Sequence, residues 1–139
     1  MGAVFVGVAR AAYEYALTYA QERKQGGVPI IRHQHVRYRL FHMFRKVEAA
    51  RALARRVHIF NATAPAPALQ GSIASKITST QTAFEVASEA IQMFGGAGVS
   101  REYPVEKLMR DARASMIEDG CNEFLAIKGG SRLVPPGAL

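Results

Sequence analysis

The side chains able to do chemistry in this 139-residue chain fall into three groups. The first is cationic. Arg32, Arg37, Arg39, Arg45, Lys46, Arg51, Arg55 and Arg56 lie between Val28 and Gln70 against Glu48 alone, and they account for the formal net charge of +7. All four histidines (His33, His35, His42 and His58) share that segment. A cluster of this kind can bind phosphates, so a nucleic-acid surface is one reading. The segment is also periodic and helical, with its aromatics on the apolar side, which favours a solvated helix face that touches an anionic ligand. No cysteine or second histidine pair stands at zinc-like spacing, which argues against a metal. The second group is the Gly95-Gly96 pair preceded by Gln92. Taken alone it reads as a helix C-cap, or as a place where a ligand can approach the backbone closely. The third is the acidic pair Glu118-Asp119 ahead of Gly120-Cys121, charge that suits the N-terminus of a following helix.

The elements that must position these groups are all helical. A first helix is expected from about Ala3 to Gln25, with Val4, Val8, Ala12, Tyr15 and Tyr19 on one face, stopped by Gly26-Gly27 and Pro29. A second is expected from about Gln34 to Ala62. Its apolar positions Val36, Leu40, Met43, Val47, Ala50, Ala54 and Val57 step by four and three, the seam of helices packed nearly along one another. Pro65 and Pro67 break it. A third, from about Ser72 to Phe94, repeats the rhythm through Ile73, Ile77, Thr80, Phe84, Ala87, Ile91 and Phe94. Its many serines and threonines place part of it against water or another subunit. Pro104 suits the first turn of a short helix reaching Ser115. A last helix is expected from Cys121 to about Leu133, followed by a frayed tail from about 134. No segment has a strand pattern. The fold class is therefore all-α, an antiparallel up-and-down four-helix bundle forming a single domain over 1–139.

Composition sets outer limits. Apolar residues make up 49% of the chain, enough for a core and against disorder. One cysteine, Cys121, permits no internal disulfide. The start, MGAVFVGVA, lacks a basic residue before its apolar run and makes a poor signal peptide. Val6 stands where a myristoylation site wants Ser or Thr. No apolar run is long enough to span a membrane.

The stretch from Gln92 to Cys121, QMFGGAGVSREYPVEKLMRDARASMIEDGC, resembles the C-terminal signature of the acyl-CoA dehydrogenase family of flavoproteins. Tyr19 to Val36, YAQERKQGGVPIIRHQHV, is similar to a second family segment, with Gly26 where Phe is usual. The likeness runs from about Gly7 to Leu133 and covers roughly the last third of such an enzyme. The family's N-terminal helical and middle β-domains are expected to lie outside this chain, which alone is expected to be inactive. In the family this domain is a four-helix bundle.

The resemblance implies a share of a site for flavin adenine dinucleotide (FAD). Arg23, whose guanidinium offers forked donors to phosphate oxygens, matches the arginine on the dinucleotide phosphates, with Lys24 and Gln25 in the same contact segment. His33 and Gln34 match a second contact segment. Gln92, Gly95 and Gly96 match the segment that meets the dinucleotide of a neighbouring subunit. Cys121, Asn122 and Glu123 fall among further flavin contacts; Glu123 is acidic where Gln is common, so its contact is expected with a ribose or adenine donor, or to be absent. Gly120 falls at a substrate-binding position.

Many members place a catalytic glutamate before a Gly-Thr pair, where it takes the α-proton of an acyl-CoA. Here Asp119 holds that position and Cys121 replaces the threonine. Aspartate reaches ~1–1.5 Å less far, about one carbon–carbon bond. Three readings follow: Asp119 as base on an adjusted backbone, an enzyme that resembles nitroalkane oxidase, a relative that uses aspartate there, and a base supplied from elsewhere. A non-catalytic oligomerisation bundle is the reading from another class. Arg110 and Asp111 are expected to form a structural pair. The resemblance further implies a homo-oligomer, dimer or tetramer, with an acyl-CoA substrate and an electron acceptor, working inside the cell in cytoplasm or mitochondrion.

Overall fold

A computed structural model describes residues 1–135 and 137; the part of the expected tail formed by Pro136, Ala138 and Leu139 lies outside the described residues. Five helices form: α1 (Gly2–Glu22), α2 (Gln34–Thr63), α3 (Leu69–Phe94), α4 (Val105–Ser115) and α5 (Asn122–Gly130). Their directions follow from a few contacts. Gly2 lies against Ser75 and Ser79, while Tyr19 stacks on Phe94, so α1 and α3 run parallel. Arg39 meets Glu89 at 2.7 Å and Asn61 meets Ser72 at 2.9 Å, so α2 runs against α3. The loop before α4 packs Tyr103 on Phe94, and the turn after α4 reaches Lys76, so α4 runs against α3 too. This is the expected up-and-down four-helix bundle. The fifth helix crosses the first half of α3, with Gly129 seated on Ile73.

The core is built largely of small residues. Ala9, Ala12, Ala16 and Ala20 of α1 are fully buried, as are Ala83, Val86, Ala87 and Ala90 of α3. Met43 and Val47 of α2 and Val105 and Ala112 of α4 close around them. On α2 the expected stripe is the buried one from Val36 to Ala54, with Val57 half-buried. On α1 the expected face is wrong in part. Val4 and Tyr15 are exposed, and the buried stripe is Phe5, Ala9, Ala12, Ala16 and Ala20. Alanine scores weakly as a hydrophobe, yet it lets two helix backbones approach, and here that approach decides the face. The hydroxyls of α3 divide: Ser88 faces water, in keeping with a partly solvated helix, and Thr80 is buried in the expected stripe, while others turn inward as well. Ser75, Ser79, Thr80 and Thr82 are buried within this chain's own bundle, because α3 is covered by α1, α2, α4 and α5.

Two boundaries are instructive. Helix α1 ends at Glu22, three residues before the expected stop. Lys24–Gln25 and Val28–Pro29 pair as a two-residue hairpin, a strand pattern the sequence does not announce. Gly26 and Gly27 both have positive φ, 64° and 81°, as a tight hairpin of this twist demands. Helix α3 begins at Leu69, three residues early, and the Asn61 side chain accepts the Ala68 N–H at 3.0 Å just ahead of it. The glycines after Phe94 end α3 as expected, but pass into a 3-10 turn, Gly95–Val99. The last helix stops at Gly130, short of Leu133.

Candidate active site

The bundle sends the candidate residues to two ends. Arg23, Lys24, Gln25, His33, Gln34, Gln92, Gly95 and Gly96 gather where α1 and α3 finish and α2 begins. Asp119, Gly120, Cys121, Asn122 and Glu123 sit at the opposite end, in the turn from α4 to α5. Lys76, under that turn, and Gln92 are separated along α3 by about 24 Å at 1.5 Å per residue.

At the first end the hairpin positions the cationic segment. Arg23 is exposed, has no carboxylate partner among the described residues, and is held by its N–H to Tyr19 O and by Ile30 N–H to its own carbonyl, both 2.8 Å. The His33 ring nitrogen Nε2 donates to the Gln25 carbonyl at 3.2 Å, tying the hairpin to the start of α2. Gln25, His33, His35, Arg39 and Gln92 then line one cleft of about 250 Å³ over Ile30, Val36 and Met93. Gln34 is exposed beside it. Tyr19, Phe94 and Tyr103 clamp the three converging segments, with centroids 4.0 Å apart for Tyr19–Phe94 and 4.9 Å for Phe94–Tyr103.

The glycines here differ in what they do. Gly98 is needed for packing, since a Cβ would stand 2.7 Å from the Ile91 carbonyl oxygen. Gly95 is needed for conformation, with φ 61° and ψ −140° in a region only glycine enters freely. A Cβ on Gly96 would meet nothing within 4 Å, and its φ is ordinary. Among the described residues nothing explains that glycine, and its open backbone leaves room for a ligand or another chain. An unpaired guanidinium, a polar cleft and bare backbone together suit a phosphate-bearing dinucleotide.

At the second end, the Ile117 and Glu118 N–H groups both return to Ala114 O, at 2.9 and 3.0 Å, and Asn122 N–H closes the turn on Met116 O at 3.0 Å. The turn forces Asp119 to φ 53°, the one described non-glycine residue with positive φ, followed by Gly120 at φ 92°. Both are exposed, as are Glu118 and Glu123. Cys121 is half-buried and starts α5 without a side-chain cap. Asn122 faces inward, its amide engaged with Lys76 at 2.8 Å and Thr80 at 3.0 Å.

Lys76 is the residue that sequence reasoning missed. Only 7% exposed, it donates to Gly120 O at 3.0 Å and to Asn122 Oδ1. Burial pushes its ammonium below the usual lysine range, while the charges of Asp119, Cys121, Glu118 and Glu123 pull the other way. The available signal was a lysine between Ile73 and Thr80 in an apolar stripe. The expected Arg110–Asp111 pair does not form. At helical spacing Arg110 pairs with Glu106 at 2.8 Å and Asp111 with Lys107, because residues four apart share a helix face and adjacent ones do not. In the cationic segment, Arg39, Lys46 and Arg51 are paired with Glu89, Glu85 and Glu48. Among the described residues no helix is long and apolar enough to cross a membrane.

Comparison with known proteins agrees with this geometry. The family described as acyl-CoA dehydrogenase, C-terminal domain, matches residues 1–133. A probable acyl-CoA dehydrogenase of Mycobacterium tuberculosis is 39% identical over 129 residues, covering 89% of this chain and 32% of that protein. A short-chain-specific acyl-CoA dehydrogenase of Megasphaera elsdenii is 36% identical over 92% of this chain and 33% of its own length. The solved butyryl-CoA dehydrogenase of Megasphaera elsdenii superposes with a TM-score of 0.92 at 34% identity, over 96% of this chain and 35% of that one. The chain thus spans about a third of the length of the curated relatives it matches. On residues, fold and likeness together, the chain belongs to the acyl-CoA dehydrogenase family, in which it corresponds to the C-terminal domain.

Proposed function

We propose that this chain is the C-terminal part of a flavin-dependent oxidoreductase that dehydrogenates acyl-CoA thioesters between the α- and β-carbons. Asp119 is the base, and its carboxylate takes the α-proton. FAD, when bound, would accept the hydride equivalent from the β-carbon. Arg23, Lys24, Gln25, His33 and Gln34 hold its phosphate-bearing part, and Gln92, Gly95 and Gly96 meet it from a neighbouring copy. The observation that carries this reading is the Asp119 turn. A non-glycine residue forced to φ 53° and presented to solvent is strained backbone at a chemically useful group. Left-handed backbone also re-aims the shorter aspartate side chain, which supports Asp119 as an adapted base. The separation of the two residue sets supports a homo-oligomer, with each site drawing on two copies. The parent enzyme passes its electrons to an acceptor and, by family resemblance, works inside the cell.

The test is made in the full-length parent. Asp119→Asn is expected to lower proton abstraction by about 10²–10⁴-fold with FAD retained. Asp119→Glu impairs turnover if the backbone is adapted to aspartate and raises it if the site is a weakened form of the usual one. Rates within a fewfold of wild type for both variants would place the base elsewhere. Arg23→Ala and Gln92→Ala are expected to weaken FAD retention, and unchanged flavin content in both would reject the dinucleotide assignment.

A further inference from the structure

We propose that Lys76 is a positioning residue for the proposed base: from inside the bundle its ammonium holds the left-handed turn that aims Asp119. The inference rests on the proposed role of Asp119 for its catalytic consequence, and on geometry alone for its structural one. Lys76 lies on α3, remote in sequence from the turn, and is drawn inward to 7% exposure where α3 meets the α4–α5 turn. Two of its protons go to acceptors on either side of Cys121: the Gly120 carbonyl at 3.0 Å and Asn122 Oδ1 at 2.8 Å. The Gly120 carbonyl lies in the Gly120–Cys121 peptide, one peptide beyond the bond that joins Asp119 to Gly120, so fixing it restrains the turn immediately after the aspartate. Asn122 is itself fixed, because its Nδ2 donates to Thr80 Oγ1 at 3.0 Å while the Thr80 hydroxyl donates to the Lys76 carbonyl at 3.0 Å. Lysine, threonine and asparagine thus form a closed buried network, and every side-chain polar atom named in it has a partner.

Burying an ammonium is unfavourable, and an apolar side chain of similar length would fill this space without that penalty. It would also leave the Gly120 carbonyl and Asn122 Oδ1 without this donor, so the lysine contributes to the stability of the turn as well as to its shape. What a buried cation supplies, and methionine cannot, is directed hydrogen bonding to a strained turn. The charges of Asp119, Cys121, Glu118 and Glu123, in that turn and at the start of α5, act on it favourably.

The test uses the full-length parent with Lys76→Met, FAD content as a check, and two readouts. One is the rate at which butyryl-CoA or a longer straight-chain acyl-CoA reduces the bound flavin in a single turnover, with KM measured alongside. The other is amide hydrogen exchange of the peptide spanning 116–123, with 86–94 as internal reference. Lys76→Met is expected to fold and retain FAD. Its reduction rate should fall by about a hundredfold, the scale of an ångström-level misplacement, with KM changed only severalfold. Exchange in 116–123 should rise by roughly tenfold or more while 86–94 is unchanged. Thr80→Val, which removes the Thr80 hydroxyl from Asn122 and from the Lys76 carbonyl but leaves the Lys76 ammonium in place, should shift both readouts the same way by a smaller factor, and it carries the test should Lys76→Met not fold. Unchanged exchange in the turn of a folded variant would overturn the inference. A loosened turn with wild-type reduction rates, in an enzyme where Asp119→Asn is also fully active, would reject Asp119 as base and leave Lys76 as the holder of the turn.

Discussion

At residue scale, the α4–α5 turn sets conformation against function. Left-handed backbone costs an L-residue about 1–2 kcal/mol, less for aspartate than for most. Asp119→Gly is therefore expected to leave stability unchanged or raise it by up to ~1 kcal/mol in urea unfolding, while removing the proposed base. A clear loss of stability would show that the Asp119 side chain supports the fold. Lys76 gives a pH signature. Burial holds the pKa of its ammonium, in the folded state, below the ordinary lysine value of 10.5. Between those two values the unfolded chain binds more protons, so this lysine makes stability rise with pH across the window just below 10.5. The difference in unfolding free energy between wild type and Lys76→Met should therefore vary with pH in that window. A constant difference would mean that Lys76 titrates alike in both states.

At element scale, the alanine seam between α1 and α3 decides which face of α1 is inside. Ala16 has no exposed surface, whereas Val4 is 61% exposed. Ala16→Leu should force the helices apart and destabilise the chain by about 1–3 kcal/mol or more. Val4→Ala should stay within about 0.5 kcal/mol. Chemical unfolding of both distinguishes this packing from the face suggested by hydrophobicity, on which Val4 would be the damaging site. The hairpin between α1 and α2 shows the same competition. A glycine pair can end a helix or turn two strands, and the Gln25–His33 contact and the Ile30 N–H bond to Arg23 select the turn.

At the scale of the whole molecule, much apolar surface is left uncovered. Tyr38, Phe41 and Phe44 of α2 are exposed, as are Ile59 and Phe60 further along it and Phe124 and Ile127 of α5. Clusters of this kind mark surfaces that normally meet a partner. Sedimentation of the chain at tens of micromolar is expected to show dimers or tetramers through bundle faces, and a stable monomer would count against that.

Read in one dimension, the chain already specified the helices, the breaks between them and the α2 seam. Those features depend on short-range periodicity, proline and glycine, which act within a turn or two. The Tyr103-to-Asp111 run and the acidic pair before Gly120 likewise marked the family and the candidate base. Only the tertiary structure decided that alanines rather than Val4 and Tyr15 line the inner face of α1, since close approach depends on the partner helix. It alone turned Ser75, Ser79 and Thr82 of α3 inward, because burial there comes from four neighbours in space. It also sent the candidate residues to opposite ends of the bundle and brought Lys76 beneath Asp119, 43 positions further along the chain by the numbering. A lysine between Ile73 and Thr80 in an apolar stripe is all the sequence offers; its role comes from a turn that folds back over it.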